Sequence, residues 1–338
     1  MILDVLIPSL LLPAPVHTLF PPLAVPALER LLARADTQVA LTPAGSNWLC
    51  ERWGVAAPHD VAPLLAEYDG LETLNEGWMF AEPVHLIPDR ARLKLFPAGF
   101  LNVSAAESAE LISALNSHFA DRHLQFFAPV PDALPQRWYV RCSPSEIPAT
   151  TPPGAAHIGS LADFQPTSTG TMDWRSLQNE AQMLFFGHPV NEAREANGQP
   201  AVSGVWFWGG GVVPGVQKPA YGLVAASLAL AVALAKKSAI DVRAPAWESI
   251  QSAHGNVLAV IDSCAVLAGN ADFSAWAHEV ERLEREWFVP LSKALASGAI
   301  KRLSLHVPDA GGTRTFHLTR RDQLLRFWRA AKPLAHHA

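Results

Sequence analysis

Cysteine is scarce in this chain: Cys50, Cys142 and Cys264 are the only three in 338 residues, and none stands in a C-x-x-C spacing. An odd, scattered set excludes a disulfide scaffold and a cysteine zinc site, and makes a reducing cytoplasm the expected compartment. Charge is scarce as well, at 17% of residues, with Lys+Arg 26 against Asp+Glu 31 for a net charge of −5. With no basic excess to neutralise phosphates, nucleic acid is not an expected partner. Long apolar runs are missing too. The longest, Tyr221 to Ala235, falls short of the roughly 20 residues that span a bilayer, so it reads as a buried helix and no membrane partner is expected. The leading MILDVLIPSLLLP has no basic region and carries Pro8 and Pro13, so it reads as a buried strand and a loop, not a signal peptide.

What is present is apolar. Hydrophobic residues are 49% of the chain, and a chain of this length buries roughly three-quarters of its unfolded surface, which excludes disorder as the default state. At about 150 residues per domain, two domains are expected.

Strands are expected over 4–7, 85–87, 92–96, 124–128, 138–142, 202–208 and 257–261, with a closing pair over 303–306 and 315–318. Helices are expected over 28–35, over 47–53 with Ser46 as cap, and over 61–68. Ser104 with Glu107 forms a capping-box pattern that opens a helix to about residue 121. Asp173 caps another helix to about Phe186, Pro189 starts a further one ending at Gly198, and 273–295 is a long amphipathic helix stopped by Gly298. The stretch 143–171 is rich in Pro, Ser, Thr and Gly and reads as a loop. Strands alternating with helices argue for an α/β fold with a mainly parallel sheet flanked by helices.

The densest polar cluster is Asn179, Glu180, His188, Asn191, Glu192 and Arg194. Asn191 and Arg194, at i and i+3, share a helix face, and a guanidinium beside an amide can grip a carboxylate or a phosphate. The plainer alternative is that Asn191 caps a turn and Arg194 holds an interface. Gly209-Gly210-Gly211 follows a strand and precedes a helix, where a backbone anion nest would sit; alternatively the glycines let Trp206 and Trp208 pack on close backbone. The run has neither G-x-G-x-x-G spacing nor a following G-K-[ST].

No H-x-x-x-H or H-E-x-x-H pair occurs among the thirteen histidines, and no G-x-S-x-G elbow exists for a serine nucleophile. Asp262 ends a buried strand, where α/β ligands often sit, and with Asp272 it is a candidate metal pair. Asp272 is equally placed to cap the next helix. Cys264 is a candidate thiol and His254 a candidate base, neither with a partner visible in sequence. The basic, aromatic tail from Arg320 to Arg329 reads as a helix packing Leu324, Leu325 and Trp328 with its arginines solvated.

Several segments together resemble bacterial proteins labelled regulatory protein, RpfE type. They are His188-Pro-Val-Asn-Glu-Ala-Arg-Glu-Ala-Asn-Gly-Gln-Pro leading into Val205-Trp-Phe-Trp-Gly-Gly-Gly, with Glu82-Pro-Val-His-Leu, Leu115-Asn-Ser-His-Phe, Arg137-Trp-Tyr-Val-Arg, Asn179-Glu-Ala-Gln-Met, Gly269-Asn-Ala-Asp-Phe-Ser-Ala-Trp and Phe327-Trp-Arg. That group is in turn remotely similar to the cofactor-independent phosphoglycerate mutases of the alkaline phosphatase superfamily. The resemblance implies an alkaline-phosphatase-like core over 1–75 and 200–335 and a smaller inserted α/β domain over 76–199. Active members of that superfamily hold two divalent metals on several Asp and His residues and use a Ser or Thr nucleophile. Here the first strand runs into Pro8-Ser9-Leu10, and after Asp262 no histidine appears until His278.

Three functions follow. The first is a catalytically silent, cytoplasmic regulatory relative of the mutases that needs no cofactor. It would hold a small phosphorylated or carboxylate ligand on His188, Asn179, Glu180, Asn191, Arg194 and Gly209 to Gly211. The second is a working mutase or phosphatase with two Mn, Zn or Mg ions on ligands such as Asp4, Asp262, Asp272 and His254. The third is a scaffold for a protein partner, with some of the eleven tryptophans exposed.

Overall fold

The computed structural model describes residues 1–41, 45–56, 61–89, 92–96, 98–128, 136–153, 166, 170–309 and 311–337. Much of the expected 143–171 loop, and residues 90–91 between the expected strands 85–87 and 92–96, lie outside the described residues. The strands in chain order are β1 (Ile2–Leu6), β2 (Asp36–Ala40), β3 (Gly77–Asp89), β4 (Arg92–Phe96), β5 (Gln125–Phe127), β6 (Tyr139–Cys142), β7 (Gly204–Gly211), β8 (Leu223–Ala225), β9 (Asp241–Arg243), β10 (Asn256–Val260), β11 (Arg302–Asp309) and β12 (Gly312–Thr319). The chain divides into two compact units, Met1–Gly54 with Val216–Ala338, and Val55–Gly215.

The first unit is built on a seven-stranded sheet ordered β2-β12-β11-β1-β10-β8-β9. β11, β1, β10, β8 and β9 run parallel, and only β12 and β2 are antiparallel additions at one edge. A sheet of this kind needs cover on both faces. On one face Leu3, Val5, Val257, Ala259, Leu303, Leu305, Phe316 and Leu318 join a core with Leu28, Leu31, Trp276, Val280, Leu283 and Leu291. These come from the helices Pro26–Arg34, Phe273–Leu283 and Val289–Ser297.

The expected 273–295 helix is continuous but widens at Glu284–Phe288 into a π-helical turn before running on to Ser297. Pro290 lies just beyond and has no N–H to give back to the preceding turn, which favours such a bulge. Gly298 then ends the helix in the left-handed conformation at φ 85°. The π-turn carries Glu284, only 4% exposed, to the start of the Pro26–Arg34 helix. That helix has Pro26 in its first turn, and its cap residue, Val25, has no side-chain acceptor. The Glu284 carboxylate accepts the Ala27 and Leu28 N–H groups at 2.6 and 3.0 Å and so supplies the missing cap.

Three expectations fail in this unit. In the tail the helix covers only Arg320–Leu325, Leu324, Leu325 and Trp328 are exposed, and Arg326 pairs with Asp36 and Asp322, because the segment is held by its polar side chains. Ser46 lies inside its helix, Gly45–Arg52, and does not cap it. The apolar run 221–235 is not one helix: it splits into strand β8 and the helix Ala229–Lys237. Periodicity cannot separate a buried strand from a buried helix in so apolar a run.

In the second unit the long strand β3 pairs with β6 through Gly77–Phe80, with β7 through Trp78–Val84 and with β4 through His85–Asp89. β5 extends the sheet beyond β6. The helices Ala105–His118, Trp174–Phe185 and Pro189–Ala196 pack Leu111, Leu115, Trp174, Leu177, Phe185 and Val190 onto Trp138, Val140 and Phe207. The Ser104/Glu107 capping box and the Asp173 cap are both formed. This unit takes in more chain than the expected 76–199. The Val61–Tyr68 helix packs on β3 and β7, and β7 is itself paired to β3. Both flanks therefore belong to this sheet. Among the described residues no helix is long and apolar enough to cross a membrane.

Glu284→Ala removes a buried carboxylate that serves two backbone donors, so it is expected to lower the unfolding free energy by about 2 kcal/mol. Urea denaturation measures it; a loss below about 0.5 kcal/mol would mean that solvent replaces the cap.

Candidate functional site

The side chains expected to grip an anion in the second unit are spent on the unit itself. Asn191, 5% exposed, donates from Nδ2 to the Phe185 and Val202 carbonyls at 2.7 and 2.9 Å and accepts the Val202 N–H at 2.8 Å. Arg194, 1% exposed, donates from Nε to Pro200 O, from Nη1 to Glu107 and from Nη2 to Leu101 O, at 2.8, 2.9 and 2.5 Å. The pair ties the Pro189–Ala196 helix to its neighbours and presents no free fork to a ligand. His188 caps that helix through Nδ1, which accepts the Val190 N–H at 3.3 Å. Asn179 is exposed, and Glu180 faces His118 at 3.2 Å and Arg122 at 3.6 Å.

Gly209, Gly210 and Gly211 do not form a turn ahead of a helix, as an anion nest requires; they are the last residues of β7. A Cβ on Gly210 would lie 2.5 Å from Met79 Cγ, so glycine there is a packing requirement. The flanking indoles find acceptors: Trp206 donates to Thr151 O at 2.8 Å and Trp208 to Glu82 at 2.9 Å. Burial raises the Glu82 carboxyl above its ordinary range despite the Trp208 and Ala98 donors.

In the first unit, the carboxyl ends of the parallel strands are where α/β sites form. There β1 leads into Pro8 and Ser9, and β10 into Asp262, Ser263 and Cys264. Ser9 is held at φ 58°, donates its N–H to Pro308 O at 3.2 Å and accepts from the Trp276 indole at 2.9 Å. Cys264 is buried, and burial pushes its thiol up to about 12. Asp272 caps the Phe273–Leu283 helix by accepting the Ala275 N–H at 3.0 Å.

The candidate ligands Asp4, Asp262, Asp272 and His254 do not converge. Asp4 is level with Leu258 in the middle of the β1–β10 pair, whereas Asp262 lies beyond the end of β10 and exposed His254 before its start. At about 3.3 Å per strand residue, Asp4 and Asp262 are separated by on the order of 10 Å. Among the described residues no three His, Cys, Asp or Glu side chains gather as a metal site would need. Two clustered divalent ions take several oxygen and nitrogen ligands, and this donor set does not fit them.

A different polar site lies on the second face of the same sheet. Near the centre that face is apolar, with Leu6, Val224, Leu258 and Val260 fully buried. Toward the β2 edge it turns polar: Ser304 and His306 on β11, and Thr313, Thr315 and His317 on β12, alternate with the core side chains of the opposite face. The Gly45–Arg52 helix packs on β11 and leaves a cavity of about 500 Å³. It is lined by Trp48, Arg52, His306, Thr315, His317 and Gln38, among others. The Trp48 ring lies 4.6 Å from the His306 ring, with the Arg52 guanidinium 4.7 Å from the Trp48 ring.

Behind His306 sits Asp4, which accepts the Tyr221 hydroxyl at 2.7 Å. Burial alone would raise the Asp4 carboxyl, but His306 and Tyr221 outweigh it and hold it below its ordinary value. His306 shares a 3.0 Å hydrogen bond with Thr315 through Nδ1; its Nε2 is buried without a hydrogen bond, 3.7 Å from Asp4. Burial lowers the His306 pKa, and Arg52 and His317 lower it further against the pull of Asp4. The sequence signal for this site was the i, i+2 spacing of Ser304/His306 and of Thr313/Thr315/His317, which puts five polar side chains on one face of a hairpin.

The fold and site define an α/β protein of two units, one of them a mainly parallel seven-stranded sheet. No family model matches the chain. Over 155 residues it is 26% identical to a probable 2,3-bisphosphoglycerate-independent phosphoglycerate mutase of Geobacter sulfurreducens, a match that takes in 45% of this chain and only 38% of that relative. Among solved structures, the PH0037 protein from Pyrococcus horikoshii superposes with a TM-score of 0.52 at 14% identity, over 94% of this chain and 86% of the other, which shows a shared fold. A cofactor-independent phosphoglycerate mutase from Thermoplasma acidophilum superposes at 0.46 with 16% identity, over 94% and 89%, too loosely to carry an argument. The chain is thus remotely similar to cofactor-independent phosphoglycerate mutase.

Arg194→Leu leaves the Glu107 carboxylate and two carbonyls without their donor, and is expected to destabilise the protein by about 3 kcal/mol. Thermal and urea unfolding would show it; unchanged stability would return Arg194 to the list of ligand-binding residues.

Proposed function

We propose that this chain is a phosphoglycerate-mutase-like protein of the RpfE-type regulatory group, acting in the cytoplasm, that binds a small anionic ligand and does not transfer phosphoryl groups. One observation carries the reading. The strand ends of an alkaline-phosphatase-type sheet, where two metals would be held, carry Pro8-Ser9 and Asp262-Ser263-Cys264, while Asp4 and His254 stand at other levels of the sheet. That set offers fewer converging oxygen and nitrogen ligands than two clustered ions take, which supports the reading. The polar cavity under Trp48 favours ligand binding as the retained property, and the ligand class is a phosphorylated or carboxylate compound.

A second reading, a metal-dependent mutase or phosphatase, is favoured by the printed name of the Geobacter relative alone. Metal content of protein purified without chelator and dialysed against manganese, followed by an assay with phosphoglycerate, separates the two. The proposal expects substoichiometric metal and no turnover. Near two equivalents per chain with turnover would replace it by the second reading.

A further inference from the structure

We infer that the cavity beneath Trp48 is a binding site for a small hydroxylated oxyanion, seated between Arg52 and the His306–His317 face of the β11–β12 hairpin. The inference gives a place to the ligand of the proposed function and rests on that half of it; the metal content of the strand ends does not bear on it.

Four observations converge. The cavity, at about 500 Å³, has the size of a site for a small organic molecule and exceeds what a bare ion needs. Its lining is rich in groups that donate to oxygen: the Arg52 guanidinium, the Gln38 amide, and the Thr315 hydroxyl beside the two imidazoles. Glu51 is the one acidic residue lining it among the described residues. The second observation is the placing of His306: it lines the cavity while only 3% exposed, and its Nε2 faces Asp4 at 3.7 Å, too far for a hydrogen bond. A buried nitrogen without a close partner is rare, and this one stands beside a carboxylate that would receive its proton.

The third observation is electrostatic. Burial most of all, and then Arg52 from the helix above and His317 from β12, oppose a positive charge on His306, while Asp4 on β1 favours it. An anion in the cavity offsets Arg52 and His317 and so favours the charged imidazole. The fourth is that the receiving geometry for the proton is in place. With both ring nitrogens protonated, Nδ1 donates to Thr315 Oγ1, already 3.0 Å away, and Nε2 faces Asp4, itself steadied by the Tyr221 hydroxyl at 2.7 Å. Ligand binding is therefore coupled to uptake of a proton by His306. The complex binds more protons than the free protein, so affinity rises as pH falls and levels off once His306 is charged in the free protein too.

The test is calorimetric titration of the full chain with inorganic phosphate, glycerol 3-phosphate and gluconate, with glucose as the neutral control. Each is run near pH 6 and pH 8, in two buffers of different protonation enthalpy. At least one anion is expected to bind and glucose not to; affinity should be higher at the lower pH, with about ten-fold as the ceiling for a one-unit shift, and with net proton uptake. Binding by the phosphates alone assigns a phosphate monoester, and binding by gluconate alone a hydroxycarboxylate.

Arg52→Ala, an exposed rim position, should weaken binding about ten-fold or more. His306→Gln should abolish the pH dependence and the proton uptake while keeping some affinity. The inference is overturned if no anion binds at millimolar concentration, if binding is unchanged in Arg52→Ala, or if it occurs without proton uptake. Any of these leaves the metal and mutase measurements, and the reading they test, untouched.

Discussion

Parallel strands have to be covered on both faces, and in the first unit the cover is unequal. One face of the seven-stranded sheet is sealed by the long interrupted helix 273–297 and the Pro26–Arg34 helix, which together build a continuous apolar core. The other is covered on β11 by the Gly45–Arg52 helix and on β8 by the Ala229–Lys237 helix. Where cover is complete the strands carry Leu6, Leu258 and Val260; where it thins toward β2 they carry Ser304, His306, Thr315 and His317. The polar cavity is the consequence of that thinning, and its side chains are fixed by the period-2 alternation of strands whose other side belongs to the core. Sliding β11 by one residue would expose Leu305 and bury His306 among leucines, so the site and the core hold one another in register.

The second unit answers a similar problem with a single side chain. Arg194 is nearly without exposure, and burying a guanidinium is costly unless its donors are met. Glu107, which closes the capping box on Ser104, also meets Arg194, so one carboxylate joins the start of the Ala105–His118 helix to the Pro189–Ala196 helix. Burial would raise the Glu107 carboxyl, but Ser104 and Arg194 together hold it below its ordinary value. A residue type chosen from sequence as a ligand grip thus serves as a clamp, because a fork suited to a carboxylate is equally suited to the protein's own carboxylate and carbonyls.

Local chemistry was the legible part of this chain. The Ser104/Glu107 box, the Asp173 and Asp272 caps, the Gly298 stop and the closing hairpin all depend on residues within a few positions of each other, and each stands where the pattern places it. Illegible were features whose cause lies far away in sequence. The run 221–235 divides because Leu223–Ala225 finds β10 and β9 as neighbours. The three glycines end a strand because β3 pairs with Gly211 and with Trp208 on either side of a bulge, and Met79 fills the space above Gly210. The cap of the Pro26–Arg34 helix comes from Glu284. The candidate site is of the same kind: Asp4, Arg52, Tyr221, His306 and His317 are each unremarkable alone, and they meet only through the strand order β12-β11-β1, the Gly45–Arg52 helix packed on β11 and the segment that leads into β8.

This separation between fold and site is also what keeps the likeness to phosphoglycerate mutases from deciding the function. The sheet order and the apolar face can be preserved by many sequences, because volume and pattern are what they require. Phosphoryl transfer on paired metals requires particular atoms at the ends of particular strands, and there the described residues are Pro8 and Ser9 after β1 and Asp262, Ser263 and Cys264 after β10. The imidazoles are instead on the second face of the sheet: His306 and His317 lie on adjacent antiparallel strands, in register with Thr315 and Ser304. Those two histidines stand with Arg52 around one cavity because the period-2 alternation of β11 and β12 and the cover of the Gly45–Arg52 helix place them there.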